Sequence, residues 1–233
     1  LHVLSSLPST WTWHSSTELR QRVEAISQSF AVPNRTKAGH PGPHWGDEAP
    51  AMLIYSMSAS VDGFIYDREG DFDWGVPDEE QFRVHLEQTA ALGGFLCGRK
   101  LYEAMVVWET DPAMRATELE SAFADAWSAL PKVVFSRTLD RVEGNARLAT
   151  GTLAEEAAAL AASTDRDLAI GGATLAAEAI ELGLVDEFHI FRCPVVVGGG
   201  RPLLPPVTAR IDLTLVAART FASRVVYEHY SRA

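Results

Sequence analysis

Three short stretches combine glycine, cationic and hydroxyl side chains where an apolar run gives way to a turn or a helix-compatible run: Cys97-Gly98-Arg99-Lys100, Phe135-Ser136-Arg137-Thr138 and Ile170-Gly171-Gly172-Ala173-Thr174. Glycine lets the backbone come close to a bound group, and a helix start offers N–H groups that no earlier carbonyl accepts, so such a junction can hold an anion. Arginine grips phosphate oxygens with two parallel N–H bonds, and lysine adds a point charge. Singly, each stretch also fits a plain reading. Gly171-Gly172 is then a tight strand-to-helix turn, and Arg99, Lys100 and Arg137 are solvated surface cations. Together, two glycine turns and three cations on one rim suit a dinucleotide that carries a 2′-phosphate.

The elements that must position these groups are legible from Met52 onwards. "AMLIYSMS" predicts a strand, followed by a glycine-punctuated loop. A helix is predicted to start at Asp78, which can cap "EEQFRVHLEQTAAL", where Phe82, Leu86 and Leu92 fall near helical spacing. "GGFLCG", "KVVFS" and "DLAIGG" predict buried strands. Between and after them, "RKLYEAMVVW", residues 116–129, "TLAEEAAALAAS" and "ATLAAEAIELG" predict helices. "DEFHIFRCPVVV", "IDLTLVAARTF" and "SRVVYEHYS" close the chain as strands. Strands alternating with helices predict an α/β fold with a largely parallel sheet, and the helix-poor ending predicts an antiparallel edge. In such a sheet ligands bind beyond the carboxyl ends of the strands.

The first fifty residues differ from the rest and are expected to form an N-terminal extension, partly helical or disordered. An amphipathic helix over 16–30, capped by Ser16 or Thr17, would precede a Pro-, Gly- and His-rich linker. Trp11, Trp13 and Trp45 offer that segment a partner-binding role. His2, His14, His40 and His44 fit no regular ligand spacing, so no metal site is read. Acidic and basic residues balance here, so the net charge of −11 belongs to residues 51–233, expected to be one domain. An acidic body without a long basic run argues against nucleic acid as a partner. No apolar run is long enough to cross a bilayer and no secretory signal is read, so no membrane partner is expected. Cys97 and Cys193 lie in apolar runs and suit reduced, buried thiols, which points to the cytoplasm.

Neither a G-x-G-x-x-G fingerprint nor a phosphate-binding G-x-x-x-x-G-K-[ST] loop occurs, and "VGGGRP" at 197–202 reads as a loop or bulge. No Ser-His-Asp context, H-E-x-x-H motif or cysteine cluster is present. In order, however, "LIYSMSASVDGFIY", "GRKLYEAM", "VVFSRTL", "LAIGGATLAAEAIELGLVDEFHI" and "PVVVGGGRPLL" resemble the dihydrofolate-reductase-like superfamily. The nearer likeness is to stand-alone proteins similar to the C-terminal reductase domain of the bifunctional riboflavin-biosynthesis deaminase/reductase, over roughly residues 52–231.

That resemblance implies a three-layer α/β fold around a mixed, mostly parallel sheet of about eight strands. It also implies NADPH as cofactor and hydride transfer to a small heterocyclic or sugar-phosphate-like substrate, of pterin/dihydrofolate or riboflavin-precursor type. Ser58 and Ile65 would flank the nicotinamide. Gly98, Arg99, Lys100 and Leu101 would meet the phosphates from one helix start, Ser136 and Arg137 the 2′-phosphate side, and Gly171, Gly172, Ala173 and Thr174 the pyrophosphate from the other. Leu101 stands where the relatives' pattern has Thr, and "WETDP" keeps only Asp111 and Pro112 of the riboflavin enzymes' "A-D-D-P".

Two carboxylates are catalytic candidates. Glu79 falls in register with the acid of the W-x-L-P-x-[DE] stretch of folate reductases, although first-turn acids are common in any helix. Asp62 of "VDG" either makes the turn or faces substrate. His85 and His189 read as packed or solvated, and Trp74, Trp108 and Trp127 as core or pocket lining. A homodimer through "FHIFRCPVVV" and "SRVVYEHY" is expected. A non-catalytic NADP- or small-ligand-binding module on the same fold is the competing reading.

Overall fold

The computed structural model describes residues 51–233. The helix expected over 16–30, the linker after it and Trp11, Trp13 and Trp45 lie outside the described residues.

The sheet has eight strands. They are β1 (Leu53–Ser60), β3 (Gly94–Gly98), β4 (Lys132–Phe135), β5 (Ala146–Leu148), β6 (Leu168–Gly171), β7 (Glu187–Cys193), β9 (Leu213–Thr220) and β10 (Val226–Arg232), in the order β5-β4-β3-β6-β1-β7-β10-β9. All pairings from β5 to β7 are parallel, and β10 runs against both of its neighbours, β7 and β9. A separate two-stranded ribbon pairs β2 (Phe64–Tyr66) with β8 (Arg201–Pro202). This is the mixed, mostly parallel α/β architecture of the dihydrofolate-reductase-like fold.

The three layers follow from strand alternation. Leu96 of β3 and Val133 of β4 turn to one face, where they meet Leu53, Ile170 and Phe188 under α5 (Leu153–Ala161) and α6 (Ala173–Glu181). Phe95, Cys97 and Val134 turn to the other face, under α1 (Glu79–Ala91), α2 (Arg99–Met105) and α4 (Glu118–Ala129). A short helix, α3 (Val107–Thr110), carries the chain from α2 towards α4.

The sequence names its own helix starts. Asp78 accepts from the Gln81 amide at α1, and Thr117 with Glu120 and Thr152 with Glu155 form reciprocal capping boxes at α4 and α5. The strand expected over "DEFHIFRCPVVV" stops at Cys193, because Pro194 has no N–H to extend the ladder. The strands β2, β5 and β8 carry two or three residues each, too few for a readable period.

Strand β7 is enclosed on both sides. Every β7 side chain except Arg192 is buried between β1 and β10, so β7 offers no free face. Among the exposed apolar residues, Leu213 and Leu215 lie on the edge strand β9. No described helix is long and apolar enough to cross a membrane.

Candidate functional site

Strands β3 and β6 are parallel neighbours, with Cys97 opposite Gly171, so the Gly98 and Gly172 turns leave the same edge of the sheet side by side. A Cβ built on Gly172 would stand 3.9 Å from the Gly98 amide nitrogen. Gly98 is the N-cap of α2 and Gly172 the N-cap of α6, and neither helix start receives a side-chain cap. Two adjacent helix N-termini thus keep their first-turn N–H groups clear of capping side chains, with both dipoles directed at the same edge.

The glycines have separate reasons. At Gly171 a Cβ would collide with the Leu101 side chain and lie 2.9 Å from the Phe95 ring, so the missing side chain makes room for the protein itself. Leu101 is half-buried and reaches over Gly171 of β6. Gly172 has φ of +90°, a conformation that disfavours any residue with a Cβ. A Cβ on Gly98 would meet nothing within 4 Å. Nothing in the protein requires glycine at 98, and the omitted side chain leaves an open cradle at the start of α2.

Cations surround this edge. Arg99 is exposed and pairs with Glu103 one turn on, at 3.1 Å, while Lys100 beside it is also exposed. Arg137, after β4, is exposed. Its neighbour Ser136 accepts from the Thr138 and Leu139 amides, at 3.1 and 3.0 Å, and so shapes the turn that presents it. Beyond that turn a cleft of about 660 Å³ opens between α2 and the loop after β4, lined by Tyr102, Val106, Thr138, Leu139 and Arg141. Sequence reasoning missed Arg201. Its guanidinium donates to the Thr174 hydroxyl at 2.7 Å and brings a further cation to the start of α6. The signal was not local, because β8 reaches Thr174 only through its pairing with β2.

The β1 side of the edge is more apolar. Ser58 lies opposite Phe191 of β7 and near Gly75 of the turn Asp73–Gly75, and Ile65 packs against the core. Val61, Phe72 and Val76 are exposed there, and Trp74 holds its indole N–H buried without a hydrogen-bond partner. Trp108 and Trp127 instead pack with Phe123 and Leu86 in the core.

Both candidate carboxylates are engaged. Asp62 accepts from the Val197 and Gly198 amides, at 3.1 and 2.7 Å, tying the β1–β2 turn to the glycine loop. Ser60 first, then these amides, hold its carboxyl below the ordinary aspartate value. Glu79 forms an ion pair with Arg83 on the surface of α1. Cys97 is no nucleophile, since burial pushes its thiol up to about 12.

Known proteins share this fold. The RibD C-terminal domain model matches residues 51–227. The chain belongs to the RibD C-terminal domain family. Within reach of that family, the uncharacterized protein YyaP of Bacillus subtilis (strain 168) is 34% identical over 177 residues, covering 75% of this chain and 91% of YyaP. Among solved structures, a protein of Shewanella sp. PV-4 named for riboflavin biosynthesis superposes with a TM-score of 0.63 at 24% identity, over 78% of this chain and 99% of its own. Dihydrofolate reductase from Enterococcus faecalis, complexed with NADP(H) and RAB-propyl, does so at 0.50 and 16%, over 78% and 96%. At these identities the superpositions establish a shared fold, the reductase-type fold of this RibD C-terminal domain.

Proposed function

We propose that this RibD C-terminal domain protein is an NADPH-dependent reductase of a small heterocyclic or sugar-phosphate-like substrate, of the pterin/dihydrofolate or riboflavin-precursor type. One observation carries the reading: two glycine-started helices without side-chain caps begin side by side on the carboxyl edge of β3 and β6. The residues fit the cofactor. The space beside Gly98 is open to a ligand, and the buried Trp74 indole N–H has no hydrogen-bond partner on the β1 side of the same edge.

In this reading the first-turn amides of α2 and α6 hold the diphosphate, with Arg201 steadying Thr174 beside it. Arg99, Lys100 and Arg137 take the 2′-phosphate, and the neighbouring cleft takes the adenosine. Ser58, Ile65 and the apolar rim of Val61, Phe72 and Val76 keep water from the nicotinamide. When bound, the cofactor supplies the hydride. The two buried free thiols, Cys97 and Cys193, support a reducing, cytoplasmic setting.

A second reading, a cofactor-binding module without turnover, is favoured by one specific observation: Asp62 and Glu79 are both occupied, by backbone amides and by Arg83. Neither stands ready to deliver a proton.

Two measurements separate these readings from each other and from their failure. Titration with NADPH, followed by cofactor fluorescence, should saturate. Arg99→Ala and Arg137→Ala should each weaken it roughly tenfold, the scale of a lost charge-assisted phosphate contact. Absence of NADPH binding overturns both readings. Oxidation of NADPH in the presence of a dihydrofolate, pterin or pyrimidine acceptor then selects the reductase, and binding without oxidation selects the module.

A further inference from the structure

We infer that Glu187, His189 and His229 form a binding site for one divalent first-row transition-metal ion, zinc by ligand type, which staples β7 to β10. The site lies away from the proposed cofactor edge. Because β7 runs parallel to β3 and β6, residues 187 and 189 sit in its first half, towards the opposite edge of the sheet.

Tertiary structure brings the three residues together. His189 and His229 are direct partners across the antiparallel β7–β10 pair, with ring centroids 4.3 Å apart. Glu187, two residues before His189, turns to the same face. One donor atom from each residue lies within 4.8 Å of the others. His189 Nε2 is 3.2 Å and His229 Nε2 is 2.9 Å from the same Glu187 Oε2. Metal–ligand bonds of about 2.0–2.1 Å at tetrahedral angles place neighbouring donors about 3.3 Å apart, so these separations are already close to those of a loaded site.

Two further observations favour a metal over an internal hydrogen-bond network. His229 Nε2 is buried and forms no aligned hydrogen bond, despite its 2.9 Å approach to the carboxylate. A ring nitrogen removed from water and held 2.9 Å from a carboxylate can give its lone pair to a cation that the same carboxylate binds. In addition, His189 has a supporting partner of the kind that orients metal-bound imidazoles. Gln88 of α1 sits 3.4 Å from His189 Nδ1 and 3.4 Å from the Tyr227 hydroxyl. When the ion takes the Nε2 lone pair, the single imidazole proton moves to Nδ1 and faces Gln88, whose amide rotates to present its oxygen. No net proton is released, and Glu187 binds as carboxylate.

All three side chains are closed off, at 6%, 9% and 6% exposure for Glu187, His189 and His229. Two imidazoles and one carboxylate leave a fourth position for a solvent molecule. Such burial suits a structural ion that enters during folding or local opening of α1.

The test uses the full-length chain, stripped with a chelator and then titrated with Co2+ and Zn2+. One equivalent of Co2+ should give the visible bands of a four-coordinate imidazole complex, Zn2+ should displace it, and the zinc-loaded protein should melt higher. His189→Asn and His229→Asn should abolish the bands, and His85→Gln, which alters a half-buried imidazole outside the cluster, should keep them. Bands that survive both cluster variants place the ion among the N-terminal histidines and overturn the inference, as does no saturable binding by the unaltered chain. X-ray absorption of the zinc-loaded unaltered chain requires no variant to fold. It must find two imidazoles and one carboxylate, and any other imidazole count overturns the assignment.

Discussion

Helices α5 and α6 flank the same sheet and have the same length, yet they begin in opposite ways. At α5 the chain supplies its own anion. The Glu156 carboxylate accepts from the Thr150 and Gly151 amides at 2.6 and 2.9 Å and from Arg147 at 2.5 Å, while Thr152 and Glu155 close a capping box. At α6 a glycine leads in, no side chain caps, and the nearest cation, Arg201, reaches only Thr174. The α2 start repeats the α6 pattern on the neighbouring strand. The contrast shows that this sequence can seal a helix start with its own groups and leaves without a side-chain cap the two that follow the neighbouring strands β3 and β6. That is the arrangement expected where the neutralising anion comes from outside.

The largest effect that bears on this comparison concerns its hidden part. Gly171→Ala drives a methyl into Leu101 and Phe95 and should cost about 1–3 kcal/mol of stability by urea titration, as overpacked cores do. Adding Leu101→Ala should recover part of that loss. A Gly171→Ala protein as stable as its parent would remove the packing explanation. Next, Gly98→Asp would give α2 the cap it lacks. Stability should hold or rise by about 0.5–1 kcal/mol, while NADPH affinity falls at least about tenfold, because the new carboxylate occupies the cradle and repels phosphate. Unchanged NADPH affinity would break the comparison at its centre.

At the sealed helices, Thr117→Ala and Thr152→Ala should each cost about 1 kcal/mol in thermal melts and leave cofactor binding alone. Acid should also discriminate between them. Hydrogen bonding to Arg147 first, and then to the two amides, holds the Glu156 carboxyl at about 2, against 4.5 for the unfolded chain. The unfolded state therefore binds more protons between these values. Glu156's contribution is complete above pH 4.5 and is lost as pH falls towards 2, and Glu156→Gln should flatten that part of the stability profile. The smallest structural effect is expected at Glu79, a half-exposed residue paired along one helix face. Glu79→Gln should shift stability by less than about 0.5 kcal/mol, so a fall in kcat at constant KM would report chemistry rather than folding.

Much of this contrast was legible in the amino-acid sequence because it is local. Thr152 and Glu155 stand at capping-box spacing, Asp78 precedes two acids, and Gly98 and Gly171-Gly172 end short apolar runs. Their shared rim followed from placing those runs in one parallel sheet, and their adjacency came from the strand order. What escaped depends on contacts between distant segments. Which side chain covers Gly171, which cation reaches Thr174, and that His189 faces His229 are matters of strand register, set by the whole fold. The expectation of a homodimer through "FHIFRCPVVV" and "SRVVYEHY" rests on apolar runs, and an apolar run measures burial, which has the same composition inside the monomer as between two copies.

The Asp62 bridge to Val197 and Gly198 spans most of the described chain, since its partners lie more than 130 residues away. The β1–β7 ladder already places Ser60 opposite Cys193, so these two exposed amide contacts close only a short further turn, and each adds about 0.5–1.5 kcal/mol. The rim beside β1 is therefore held by few bonds beyond the end of that ladder. Its amides should exchange with deuterated solvent well before those of β6, and a ligand that bridges the rim would register first as slower exchange there.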